Sequence, residues 1–206
     1  MTSERPRRPE DREATDGRVR RGAHNHELIV QAIYDLVRSG NIEPAVEEVA
    51  ARAGVGTRTI FRQFQDLETL SRSLGERVLA EILALVQPMP PSGQLREDLR
   101  ALIGRRARMF EHLTPFRRAG RVVRHRVLFV KEQEARMTRL LRAALEAVLA
   151  PHVAPAGRDL VEALDVLLSF EAWDRLREQQ KLSVKRAEEV LLGAATALAQ
   201  AAAREQ

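Results

Sequence analysis

Residues 46–64, VEEVAARAGVGTRTIFRQF, leave few choices of backbone. Val46, Val49 and Ala53 recur at the spacing that puts apolar groups on one side of a helix, at about 100° per residue. Gly54 follows at once and can take a positive φ without a Cβ penalty, as a helix end turning sharply into another helix requires. Val55, Ile60 and Phe64 are spaced to close over the first stripe from a second helix. Two short helices joined by a glycine elbow make a helix-turn-helix, with Ala50 as its small internal contact. Once those apolar groups face inward, Thr57, Arg58, Thr59, Arg62 and Gln63 face outward. That set can hydrogen-bond to phosphates and to base edges in a major groove, so double-stranded DNA is the expected partner.

The run Val46-x-x-Val49-Ala50-x-x-Ala53-Gly54-Val55, then Thr59-Ile60-Phe61-x-x-Phe64-x-Asp66-x-x-x-Leu70, resembles the DNA-binding half of the TetR family of transcriptional repressors. A helix in front (26–38) and a long one behind (67–87) match that family's order. The resemblance implies a homodimer, a palindromic operator, and a small-molecule effector bound by a larger helical C-terminal domain. It departs from the family pattern at three positions. Phe61 stands where tyrosine is usual, so a hydroxyl contact to phosphate is missing and an apolar contact to backbone or a thymine methyl replaces it. Gly56 replaces a common serine or threonine, and Leu67 replaces a frequent lysine.

A chain of 206 residues can bury a real core. Its formal charge is +5, and only Lys131, Lys181 and Lys185 among 34 basic residues are lysine. Codon usage in a GC-rich genome accounts for such a bias, yet arginine also suits bidentate phosphate and guanine contacts. Without cysteine, disulfides, thiolate metal sites and cysteine nucleophiles are excluded, which suits a reducing cytoplasm. No apolar stretch reaches membrane-spanning length and no signal segment is evident, so a soluble, cytoplasmic protein without a membrane partner is expected.

Residues 1–24 mix arginines, acids, Pro6, Pro9, Gly17 and Gly22 without period and read as a disordered basic arm. Its Arg18, Arg20 and Arg21 could enter a minor groove or stay solvated. The DNA-binding domain is expected over 25–70, its first helix capped by Asn25, buried through Ile29, Ile33, Leu36 and Val37, and ended by Gly40. Asp66 is placed to cap the long helix that follows, whose Leu67, Leu70, Leu74, Val78, Ile82 and Leu85 keep one stripe. The rest, 71–206, reads as the ligand-binding and dimerisation domain. It resumes after the break Pro88–Gly93 with a helix expected to stop at Pro115. No β pattern competes anywhere, so the fold class is all-α.

The basic run 117–131 contains no acid and reads as an anion-binding or a solvated face. Helices over about 158–178 and 183–203 are expected to pack against their copies in a four-helix dimer interface. The first is apolar on most sides, and the alanines of the second allow close approach. Candidate effector-lining residues are Met109, Phe110, Phe116, Phe129, Met137 and Trp173, each of which could equally be plain core. Asp165 and Ser169, four apart, could orient a ligand or pair across the dimer.

Nothing in the sequence supports catalysis or a bound metal or cofactor. GxSxG, HExxH and phosphate-loop motifs are missing, the five histidines are not spaced as ligands, and Gly54-Val55-Gly56 belongs to the elbow. The leading expectation is a ligand-responsive dimeric repressor on a palindromic operator. Two other readings compete with it: a ligand-insensitive architectural DNA-binding protein, and a helical small-molecule binder with a vestigial helix-turn-helix.

Overall fold

The computed structural model of the chain describes the backbone of residues 9–64, 67–85, 91–152 and 158–204, and side chains only from residue 20 onward. All regular structure in these residues is helical, which makes the fold all-α. The helices are α1 (Pro9–Arg38), α2 (Val46–Ala53), α3 (Thr57–Phe64), α4 (Leu67–Leu85), α5 (Leu95–Val123), α6 (Leu128–Leu149), α7 (Arg158–Leu167), α8 (Phe170–Asp174) and α9 (Val184–Arg204). A π-helical turn, Arg175–Gln179, extends α8.

The apolar interior falls into two clusters. One joins Ile29, Ile33 and Val37 of α1 to Val49, Ala50 and Ala53 of α2, Ile60 of α3 and Leu70 of α4. The other gathers Val78 and Ile82 of α4, Leu99, Ile103 and Phe110 of α5, Leu145 and Leu149 of α6, Leu164 of α7, Trp173 of α8 and Leu191 and Ala195 of α9. Helices α1 and α4 run through both. Tyr34 of α1 lies in the second cluster, although its neighbours Ile33 and Val37 lie in the first.

Three sequence expectations give way to tertiary structure. Residues 9–24 are not an irregular arm. They form the N-terminal part of α1, so Asn25 sits inside a helix and caps nothing, and Arg20 and Arg21 ride on that helix. Residues 1–8 and Asp66 lie outside the described residues. Pro115 does not stop α5 either, although it lacks the N–H for the carbonyl one turn back. Beyond it, Phe116 stacks on Tyr34 at 5.1 Å between centroids, and Arg117 and Arg118 reach Glu171 and Asp174 at 2.8 and 2.9 Å. Those contacts hold the helix through the defect. The third is the expected helix 158–178, which breaks after Leu167. Ser169 Oγ accepts from the Ala172 N–H at 3.2 Å and so caps a new helix, α8, at an angle the periodicity does not reveal.

The entry to α5 is pinned by a buried carboxylate. Asp98 accepts from the Ser92 N–H at 2.6 Å, and His152 Nε2 lies 2.7 Å from its other oxygen. The Ser92 amide, followed by His152, holds the Asp98 carboxyl down at about 2, against an ordinary 3.8. A depressed carboxyl stabilises the fold above its unfolded pKa and loses that contribution as pH falls through the folded one. Thermal melts should therefore show wild type losing more stability than Asp98→Asn between pH 3.8 and about 2. Parallel melting curves for the two proteins over that window would refute the role given to Asp98.

Candidate nucleic-acid interface and effector cavity

The elbow forms as its residues dictate. Gly54 takes φ 65° and ψ 29°, and its N–H and that of Val55 both donate to the Ala50 carbonyl. The start of α2 is held by Glu48, whose carboxylate accepts from the Ala45 N–H at 2.8 Å and from Asn41 Nδ2 at 3.0 Å. Helix α3 opens on Gly56, whose carbonyl accepts from Thr59 and Ile60. Ile60 is fully buried, and its anchoring fixes which way the rest of α3 points.

Thr57, Arg58 and Arg62 are exposed, Thr59 is half-exposed, and Phe61 is 58% exposed. The Gln63 side chain lies outside the described residues. Among the described residues, Arg58 and Arg62 have no ion-pair or hydrogen-bond partner. Arg52 of α2 differs from them, because Asp35 of α1 holds it at 2.8 Å. Among the described residues, α3 thus presents two unneutralised guanidinium groups and a largely exposed aromatic ring on one short helix. An exposed phenyl ring has no internal role, and it suits apolar contact with sugar or a thymine methyl.

The candidate ligand residues separate into two groups. Phe110, Met137, Asp165 and Ser169 come together around one cavity of about 460 Å³, its open mouth included. Arg106, Leu113 and Arg117 of α5, Leu141 of α6 and Phe170 of α8 complete most of its wall. Much of that figure is open solvent: the space a water-sized group can occupy is about 60 Å³, so a ligand of ordinary size would seat only one end in it and extend through the mouth. The other four residues do not line it. Met109 is core, and Trp173 is buried with its Nε1 donating to Glu111 at 2.9 Å. Phe116 stacks on Tyr34. Phe129 lies against Gly75 of α4, so close that a Cβ there would sit 2.6 Å from the ring. Ser169 is primarily the α8 cap, and Asp165 stands 3.9 Å from Arg142.

The basic run is not a free anion site, because acids remote in sequence answer it. Arg117 pairs with Glu171, Arg118 with Asp174 and Glu178, Arg121 with Asp174, and Arg124 with Glu134. Arg117, Arg118 and Arg121 therefore fasten α5 to α8 and the π-helical turn, and Arg124 reaches α6. Glu111 does the same from the α5 side: Arg177 and then Trp173 hold its carboxyl below the usual range against the opposing effect of burial.

Sequence reasoning missed the residues that tie α4 to the cavity-bearing helices. Helix α6 begins with no side-chain cap of its own, and Glu68 of α4 supplies one by accepting from the Leu128 and Phe129 N–H groups at 3.1 and 3.0 Å. Further along α4, Glu81 accepts from Tyr34 Oη at 2.5 Å and lies 3.0 Å from His112 Nε2 of α5. The Glu68 contacts span 60 and 61 residues of sequence and the Tyr34–Glu81 bond 47, and no local pattern signals them. Phe116 and Arg117 are consecutive on α5, so one wall of the cavity adjoins the stack on α1.

Among the described residues no cluster of His, Asp and Glu could hold a metal ion, and no helix is long and apolar enough to cross a membrane. No family model matches the chain, and no curated protein matches it in sequence. Its fold is similar to the crystal structure of a transcriptional regulator from Rhodococcus sp. Rha1, with a TM-score of 0.63 over 85% of this chain and 96% of that one, at 20% identity. That likeness shows a shared all-helical fold.

Proposed function

We propose that this chain is a ligand-responsive, dimeric transcriptional repressor of the TetR type. On this reading α3 enters the major groove of a palindromic operator. Arg58 and Thr59 read base edges, while Thr57, Arg62 and Gln63 contact phosphates or neighbouring bases. The observation that carries the reading is the pair of exposed arginines on a short helix, without a partner among the described residues and aimed outward by the Gly54 elbow and the buried Ile60. The sequence motif and the description of the Rhodococcus protein as a transcriptional regulator support it.

Dimerisation is proposed through α7 and α9. Val166 is 72% exposed on α7, and Gly193, Ala197, Leu198 and Ala201 form an exposed small-residue stripe on α9. A second copy covering that stripe would set two α3 helices about 34 Å apart, one turn of duplex. The effector would fill the cavity and shift α5, and through Phe116–Tyr34, His112–Glu81 and Glu68–α6 it would tilt α4. Moving occupancy from mostly bound to mostly free takes about 5.5 kcal/mol of differential affinity.

The test is equilibrium binding of the purified chain to duplex DNA across a salt series. The expected result is a linear fall of log affinity with log salt, with a slope near −0.9 per phosphate neutralised. Affinity that ignores salt would leave the helix-turn-helix without a nucleic-acid role and favour the small-molecule binder.

A further inference from the structure

The effector cavity contains a cation that the protein does not neutralise by hydrogen bonding. Arg106 is 4% exposed. Its Nη1 donates to the Leu168 carbonyl at 2.7 Å and its Nη2 to the Leu141 carbonyl at 2.5 Å, while Nε has no partner. Closing off the carbonyl at the broken end of α7 gives Arg106 a structural duty, but that duty accounts for only part of the group. Carbonyl oxygens bring no countercharge, and a neutral donor would serve them without the penalty of burying an ion.

The rest of the wall gives that cation a direction. Arg117 lies eleven residues further on, three helical turns along the same face of α5, and it too has a buried Nε without a partner. Its Nη2 is already held by Glu171 at the exposed rim. Between the two arginines the wall is largely apolar, from Phe110 and Leu113 of α5 to Met137 and Leu141 of α6, with Thr138 beside them and the Glu171 carboxylate also on the lining. Asp165 also lines the space, but it is within ion-pair range of Arg142 and makes no hydrogen bond to Arg106. Burial pulls Arg106 down to about 10, with Asp165 opposing, so the group stays charged at neutral pH.

We propose that the cavity takes a small amphipathic carboxylate, whose charge pairs with the Arg106 guanidinium where that side chain lines the wall, while its apolar body lies along Phe110, Leu113, Met137 and Leu141. The inference rests on reading the C-terminal half as the effector domain and names the chemical class of that effector. Hydrogen bonds to a charged group in a dry site are about twice as strong as neutral ones, so the acid should be separated from its uncharged isostere.

Calorimetry on the full chain, without DNA, tests this with hexanoate, octanoate, decanoate and 4-phenylbutyrate. Each acid is compared with its primary amide and the matching amine. At least one acid should bind about ten-fold or more tightly than its amide and its amine. Arg106→Met should erase that ratio, and Arg106→Lys should retain part of it. Should Arg106→Met fail to fold, the acid-to-amide ratio on wild type still decides. Amides or amines binding as tightly as the acids, or no acid binding below about 1 mM, would overturn the proposal. Because no DNA enters the measurement, loss of operator binding would sink the repressor reading and leave this result standing, and the converse also holds.

Discussion

A chain carrying Val166→Glu and Ala197→Glu should run as a monomer in sedimentation and bind operator about 10²–10⁴-fold more weakly than wild type. Both positions are exposed on the outer faces of α7 and α9, so neither glutamate displaces anything in the monomer's core. Placed at an interface between two copies, the same carboxylates would be buried without partners, a penalty no neighbouring residue on the stripe relieves. Operator affinity falls with them, because the second reading head binds at an effective concentration only while the two subunits stay joined. Helical content measured by circular dichroism should not change. A double variant that remains dimeric would remove α7 and α9 from the interface. One that becomes monomeric yet keeps full affinity would show that a single α3 suffices.

The second large effect belongs to Arg58. Replacing it by alanine should cost about 1–3 kcal/mol of operator affinity, since a bidentate arginine–guanine pair contributes that much discrimination. Arg62→Ala should act differently. If Arg62 neutralises a phosphate, its loss weakens binding to every sequence alike and reduces the salt slope by about one phosphate's share. Neither guanidinium has a partner among the described residues, so neither change should alter the melting temperature appreciably. Binding losses without stability losses would separate a reading role from a structural one.

The parts of this protein that sequence reveals are those set by neighbours in the chain. Gly54 needs a positive φ because α2 ends and α3 begins within a few residues, and Val49, Ala53 and Ile60 declare their burial by period. Where a distant group decides the outcome, local pattern misleads. Pro115 reads as a stop, and only the Tyr34–Phe116 stack and the Glu171 and Asp174 pairs, more than 50 residues away in the latter cases, carry α5 past it. Phe129 reads as an aromatic available to a ligand, yet Gly75 on α4 makes the socket it fills. Arg106 is the sharpest case. In the run Arg105-Arg106-Ala107-Arg108 it is indistinguishable from a solvated face, and only the fold reveals that it is buried beneath α6 and the α7–α8 corner. Asp165 and Ser169, four apart in sequence, both line the cavity, although the helix expected to hold both breaks between them.

The most direct measurement is a selection from random duplexes, carried out side by side with wild type and Arg58→Ala. Wild type should enrich an inverted repeat whose half-sites lie one helical turn apart, and the variant should lose its preference at one symmetric pair of positions while keeping the others. If both proteins return the same motif with the same affinity, or wild type returns none, then α3 does not read DNA and the account of this chain fails with it.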